Sequence, residues 1–331
     1  MYKFLIIQTA FIGDAILATA VLEKLHNHFP ESKIDILVRK GNETLFNKHP
    51  YLNECLVWNK SQQKFKSLYN IIKHIRKNKY SHVINLHRFA SSGLITIFSG
   101  AKEKIGFNKN PFSFLFTIKV RHNIGDGKHE IERNQLLIAH LTDSIATKPK
   151  LYPTNNDLIA IDELIHKQFI CIAPSSVWFT KQLPTEKWIE LIQHFHPNIT
   201  IYLLGSNNDK AYCDEIIYKS KSNNCINLCG KLSLLQSAAL MKYAQMNYVN
   251  DSAPLHLCSA INAPVTAFFC STIKEFGFFP LSSKSIIVET SEKLNCRPCG
   301  LHGYKHCPEK HFKCGYGIVI NSNLIPETCR K

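Results

Sequence analysis

Polar residues that could do chemistry gather at three points of this 331-residue chain, each directly after a run of apolar residues. The first is "FIGD", where Gly13 precedes Asp14, the one charged residue between Phe4 and Leu22. The second is "APSSVWFTKQLPTEKW", with hydroxyls at Ser175 and Ser176, then Thr180 and Lys181 before a helix opening near Pro184. The third is "NDSAPLHL", where Asp251, Ser252 and Ala253 lead into Pro254 and His256. A lone carboxylate can act as a general base. Hydroxyls, a lysine and the unpaired amides of a helix N-terminus suit a phosphate. Each group also has an ordinary structural role. An acid or a serine at a helix start is a cap, Asp-Ser-Ala-Pro is a normal helix opening, and His256 can be a core histidine.

The elements that must hold these residues alternate between strand and helix. "YKFLIIQ" reads as a buried strand, and "DAILATAVLEKLHNHF" repeats apolar residues at helical spacing. "KIDILV" and "ECLVW" follow, then a helix over 63–78 and the strand "HVINL". A loop around "GFNKNPFSF" leads to a helix expected over 130–145, and the Pro- and Asn-rich run at 147–157 reads as a linker. The pattern then restarts through "FICIAP", "TIYLLG", "CINLCG", "YVN" and "VTAFFC", with helices between. Such alternation predicts parallel sheets built from βαβ units, in two Rossmann-like domains divided at residues 1–150 and 151–331. In open sheets of this kind ligands bind at the carboxyl ends of the strands, where all three polar loops fall. No G-x-G-x-x-G and no P-loop follows any strand, which argues against a dinucleotide enzyme or an NTPase.

Composition narrows the class. An apolar content of 45% and a charged content of 20% describe a globular chain. No apolar run reaches membrane-span length, and Gly13-Asp14 breaks the amino-terminal run that a secretory signal would need, so a cytoplasmic protein is expected. The net charge of +15 fits a polyanion, an anionic membrane face or a phosphorylated substrate. No nucleic-acid-binding motif accompanies it. Among the twelve cysteines, Cys296, Cys299, Cys307 and Cys314 stand in one tail segment with His302, His306, His311 and Arg297. C-x-x-C with two further cysteines has zinc-like spacing, while a reduced loop packed near the ligand is the alternative.

With "FIGDAILATAVLEKL", "APSSVWFTKQLPTEKWIELI" and "NDSAPLHLCSAINAPVTAFF" in this order, the chain resembles glycosyltransferase family 9, the heptosyltransferases of lipopolysaccharide core synthesis. "GAKEKIGF", "KHEIERN" and "LNCRPCGLHGYKHCP" extend the resemblance over nearly the whole length. It implies a GT-B fold, two Rossmann-like domains facing across a cleft, the first binding acceptor and the second nucleotide sugar. It implies inverting, metal-independent sugar transfer, typically from ADP-heptose, with Asp14 as the base beside Gly13. Ser175, Ser176, Lys181 and the backbone at Ser252 and Ala253 fall on phosphate-binding positions. Asp251 and His256 fall on the donor motif, and His129 and Arg133 on positions that approach an anionic acceptor. The family commonly offers a glutamate to the ribose after the strand matching "TIYLLG"; here Asn208 or Asp209 stands in that segment. No cofactor and no metal are implied, since similar cysteine tails recur in the family without an established metal role. A phosphorylated, lipid-anchored glycan as acceptor would bring peripheral contact with the inner membrane face. Two other classes share some of these features. One is a nucleotide-sugar epimerase, with His256 as the second acid/base; the other is a non-catalytic polyanion-binding protein.

Overall fold

The computed structural model describes residues 2–60 and 64–331, and the chain divides into two units, Met1–Tyr152 and Pro153–Lys331. The first unit runs β1 (Lys3–Gln8), α1 (Ile12–His28), β2 (Lys33–Arg39), β3 (Glu54–Trp58), α2 (Lys64–Lys77), β4 (His82–Asn85), α3 (Ala90–Phe98), β5 (Glu103–Phe107), β6 (Ile118–Val120) and α4 (Glu130–Gln135). Its six strands form one parallel sheet in the order β3-β2-β1-β4-β5-β6. Ile6 of β1 lies between Ile36 of β2 and Ile84 of β4. Phe4–Ile7 are fully buried, so β1 reads as a continuous apolar run without alternation.

Helix α1 is buried from Ala15 to Leu25, charged residues included. Lys24 can be buried there because its ammonium reaches the Asp143 carboxylate and the Ile145 carbonyl. Glu23 accepts hydrogen bonds from the Tyr152 hydroxyl at 2.9 and 3.0 Å. The same contacts cut short the helix expected over 130–145, of which only α4 and a 3₁₀ turn at Leu136–Ile138 form. Asp143 turns toward α1, and the Gln135 amide bonds both backbone groups of Thr147 at 2.7 Å, folding the chain back. The loop expected around "GFNKNPFSF" forms, and it is flanked by elements not expected from the sequence: β5 and β6 on either side and, before them, the helix α3. Gly93 lets this helix fit, because a Cβ there would lie 2.2 Å from Asn110 Oδ1. The expected helix start at Gln63 lies outside the described residues.

The second unit runs α5 (Asn155–Ile159), β7 (Phe169–Ala173), α6 (Thr185–Gln193), β8 (Thr200–Leu203), α7 (Lys210–Ser220), β9 (Cys225–Asn227), α8 (Leu234–Tyr243), β10 (Asn247–Asn250), α9 (Ala253–Ile261), β11 (Val265–Phe269) and β12 (Ser285–Glu289). Its parallel order is β12-β11-β10-β7-β8-β9. Side-chain chemistry sets the helix ends. Ser233 and Gln236 bond each other's amides to open α8, and Asn262 takes a left-handed conformation to close α9. The last stretch of chain belongs to the core, with Ile318, Ile320, Ile325 and Cys329 buried beside β7, β8 and β10 residues. The Tyr248 hydroxyl donates to the Leu324 carbonyl at 2.7 Å.

In each unit the chain leaves one central strand toward one edge and returns on that strand's other side. These reversals fall between β1 and β4 and between β7 and β10. Crevices for ligands open at the carboxyl ends of such strand pairs. Among the described residues, no helix is long and apolar enough to cross a membrane.

Candidate active site

In the first unit the reversal point carries Asp14. The short link after β1 places it at the third position of α1, where its Oδ2 accepts from the Phe11 amide at 3.2 Å. It is therefore a helix cap in the literal sense, yet one that is costly to ionise. Its pKa is raised from 3.8 to about 6, first by burial and then by the Glu130 carboxylate, against the pull of the Phe11 and Asp14 amides and Arg88. A half-buried carboxylate with such a pKa is ionised at neutral pH and still basic enough to take a proton.

The groups that support this carboxylate come from β4 and α4. His129 caps α4, its Nδ1 accepting from the Ile131 amide at 3.2 Å. Arg133 is buried, its guanidinium spent on Glu130 at 2.8 Å, Asp126 at 3.3 Å and the Lys128 carbonyl at 2.5 Å. Glu130 also meets His122 Nε2 at 3.2 Å. Arg133 thus holds Glu130 in place. Three further groups were not singled out in the sequence. Lys60 Nζ donates to the Thr9 carbonyl at 2.7 Å, and His87 Nδ1 lies 3.1 Å from Thr9 Oγ1. Burial, helped by Lys60 and Arg88, pushes the His87 pKa down to about 3, so its ring is neutral. A larger hollow of about 900 Å³ beside β3 and α2, bordered by Glu54, Lys66 and His74, lies at the sheet edge rather than at the reversal point.

The second unit gathers most of the expected donor residues at β7 and β10. Lys181 Nζ lies 2.7 Å from Asp251 Oδ2, which also accepts from Thr272 Oγ1 at 2.6 Å. Ser175 Oγ and Ser252 Oγ are buried and, among the described residues, have no hydrogen-bond partner. Buried hydroxyls are normally paired, so two orphans on adjacent strand ends leave bonding capacity that a ligand could complete. Ser176 differs from Ser175: its hydroxyl accepts from the Trp178 amide at 3.4 Å and serves the turn. Ser252 and Ala253 open α9, whose first-turn amides have no carbonyl of the helix to bond. His256, in the next turn, sets its ring edge-on to Phe278 at 6.3 Å. Asn208 lines a cavity of about 450 Å³ with Ser175, Gln182, Tyr212, Phe312 and Tyr316. Asp209 also reaches it, but its carboxylate is committed to the Ser206 amide and hydroxyl at 2.7 and 2.6 Å.

Two supports of this site were not legible as such. Asn250, fully buried at the end of β10, donates to the Pro174 carbonyl at 2.7 Å and accepts from the Leu183 amide at 2.9 Å. It fixes both ends of the loop that carries Ser175 and Lys181. The tail supplies the other support. Arg297 donates to the carbonyls of Phe269, Cys270 and Thr272 and to Glu289. Tyr304 and Thr180 exchange hydrogen bonds of 2.8 and 3.1 Å. Gly303 passes so close that a Cβ there would meet Thr180 Oγ1 at 2.8 Å and Lys181 Cγ at 3.0 Å. All twelve cysteines are free thiols, and among the described residues no three His, Cys, Asp or Glu side chains form a metal-ligand set. Burial and neighbouring thiols push Cys299 up, and Cys314 up to about 12, so these sulfurs are protonated.

Two six-stranded parallel Rossmann-like sheets, one in each unit, are the architecture of glycosyltransferases of the GT-B kind. The chain belongs to glycosyltransferase family 9 (heptosyltransferase), whose family model matches residues 68–310. It is 25% identical over 284 residues to a lipopolysaccharide heptosyltransferase 3 of Escherichia coli, covering 79% of this chain and 82% of that one. In fold it matches the E. coli ADP-heptose lipopolysaccharide heptosyltransferase II at a TM-score of 0.76, with 19% identity over 94% of this chain and 96% of that one. A family 9 glycosyltransferase of Veillonella parvula matches at 0.78, with 19% identity over 86% and 85% of the two chains.

Proposed function

We propose that the protein moves a heptose from ADP-heptose to a lipopolysaccharide inner-core acceptor, with inversion and without a metal. The observation that carries this reading is the pair of orphaned hydroxyls, Ser175 and Ser252, beside Lys181 and the opening of α9. A diphosphate laid there pairs both hydroxyls and gains the lysine and the helix amides. As the glycosidic bond to the donor breaks, negative charge gathers on that diphosphate, and fixed donors stabilise it more than the ground state. Lysine and amides supply this stabilisation without a metal ion, and the sequence has no Asp-x-Asp pair. The nucleoside occupies the 450 Å³ cavity, with Asn208 toward the ribose and Phe312 and Tyr316 as an aromatic wall. Asp251 holds Lys181, and His256 completes the donor site.

Asp14 takes the proton of the attacking acceptor hydroxyl. One base suffices for a single displacement, which inverts the anomeric centre. Arg88 and the His129–Arg133 segment set the charge around that base, and Gly13 keeps the helix start open to the acceptor. The name of the related heptosyltransferase II supports ADP-heptose as donor, and the relatives' names support a lipopolysaccharide acceptor.

Calorimetry with ADP, UDP and GDP in the presence of EDTA tests the donor site. ADP binds preferentially, and Lys181→Ala weakens it about 10- to 100-fold, the worth of one charge-assisted contact. Indifference to the base or to Lys181 removes the assignment.

A further inference from the structure

Helix α2 has two unlike faces. Toward the sheet, Leu68, Ile71, Ile72 and Ile75 pack on Trp58, Tyr80 and Val83. On the outer side Phe65 and Tyr69, a turn apart, are 84% and 65% exposed, and Phe98 of α3 is 49% exposed. Together with Leu68, Ile72 and Leu94 they line a groove of about 610 Å³, and Lys73 and Arg76 border it. Residues 64–79 contain six lysines and arginines and no carboxylate. Large aromatic side chains standing in water beside a basic rim mark a surface that something covers.

The chemistry of the rim decides what. A second copy of the chain, brought up around a twofold axis, would set Lys73 and Arg76 against themselves on a chain of net charge +15. A soluble polyanion would pair the rim and leave the aromatics in water. An anionic bilayer satisfies both: phosphates meet the cations while Phe65, Tyr69 and Phe98 enter the headgroup layer. We propose that the α2–α3 face docks the first unit on an anionic lipid bilayer. The inference extends the reading of a lipid-anchored acceptor, because a docked unit would meet that acceptor on the membrane surface.

The test is co-sedimentation of the full chain with phosphatidylcholine vesicles, with and without phosphatidylglycerol, compared with Phe65→Ser/Tyr69→Ser and Lys73→Gln/Arg76→Gln. All six vesicle mixtures are run without sugar donor or acceptor, so the outcome is independent of the transfer reaction. Wild type binds the phosphatidylglycerol vesicles and not the neutral ones. Loss of two cations weakens binding about 30-fold, at roughly fivefold per cation, and loss of the aromatics weakens it at least tenfold. The substituted side chains are exposed, so ADP binding and the melting temperature stay at wild-type values. Vesicle binding unchanged in both variants overturns the proposal. So does absence of binding to either vesicle, or a dimer in solution that these substitutions dissolve.

Discussion

Replacing Asp14 by asparagine separates its two roles, cap and base, because they predict stability changes of opposite sign. Folding raises this carboxyl from 3.8 to about 6. Between those values the native state holds more protons than the unfolded chain, so stability falls as pH rises through about 4 to 6 and the full penalty persists above 6. The ceiling of that penalty is about 3 kcal/mol. Since the carboxylate still reaches solvent, about 1–2 kcal/mol is the expected share. Asparagine keeps an oxygen to accept from the Phe11 amide and gives up about 0.3–1 kcal/mol of helix-dipole attraction. Asp14→Asn is therefore equal to or about 1 kcal/mol more stable than wild type at pH 8, and loses that advantage at pH 4. Urea unfolding at the two pH values measures it. Sugar transfer, followed as ADP release with acceptor present, falls about 10²- to 10⁴-fold in the same variant. In wild type the rate falls tenfold per pH unit below about 6. A variant at least 1 kcal/mol less stable at pH 8, or a stability difference that ignores pH, would refute the argument and leave Asp14 an ordinary cap.

Three further outcomes follow from the second unit. Ser175→Ala and Ser252→Ala leave stability unchanged or raise it by up to about 1 kcal/mol, because each removes an orphaned hydroxyl, yet each weakens ADP about 5- to 10-fold by calorimetry. Gly303→Ala costs about 1–3 kcal/mol in urea unfolding, for its left-handed backbone and its closeness to Thr180, and lowers ADP affinity by displacing Lys181. Asn250→Ala, which strips two buried hydrogen bonds from the Ser175–Lys181 loop, costs about 2–4 kcal/mol by the same method.

The strands that carry chemistry were legible because they are central. β1, β4, β7 and β10 are buried along nearly all their length; β1 and β7 are apolar runs bounded by polar residues, while β4 and β10 keep a short apolar centre, Val83-Ile84 and Tyr248-Val249, between buried polar ends. Of the strands that escaped notice, β5 opens on the charged pair Glu103 and Lys104 before its buried end, and the edge strands β6 and β12 mix exposed with half-buried residues, which blurs any pattern. Helix α3 escaped because Gly93, Ile95 and Thr96 are weak helix formers, and only the packing of Asn110 explains the glycine. Within the site, residue types announced Asp14, Ser175 and Lys181. What could not be read was distance. The Lys181–Asp251 and Asn250–Pro174 contacts join residues some seventy positions apart, and no local spacing encodes them. The orphaned state of Ser175, in contrast to the engaged state of Ser176, is likewise visible only once the neighbours are placed.

The stitching of residues 297–330 onto the ends of β10 and β11 has a consequence for the order in which the protein is made. The first unit closes on itself by Tyr152, whose hydroxyl reaches Glu23. It can fold while the rest is still being synthesised. The second cannot finish that way. Arg297 must tie the carbonyls at the end of β11 and Tyr304 must bond Thr180 before the Lys181 loop is braced, and Leu324 must receive the Tyr248 hydroxyl before the core beside β10 closes. A nascent chain halted anywhere before these residues emerge would carry a finished first unit and an unbraced Lys181 loop. Bracing of the Lys181 loop therefore waits on residues that follow it by more than a hundred positions.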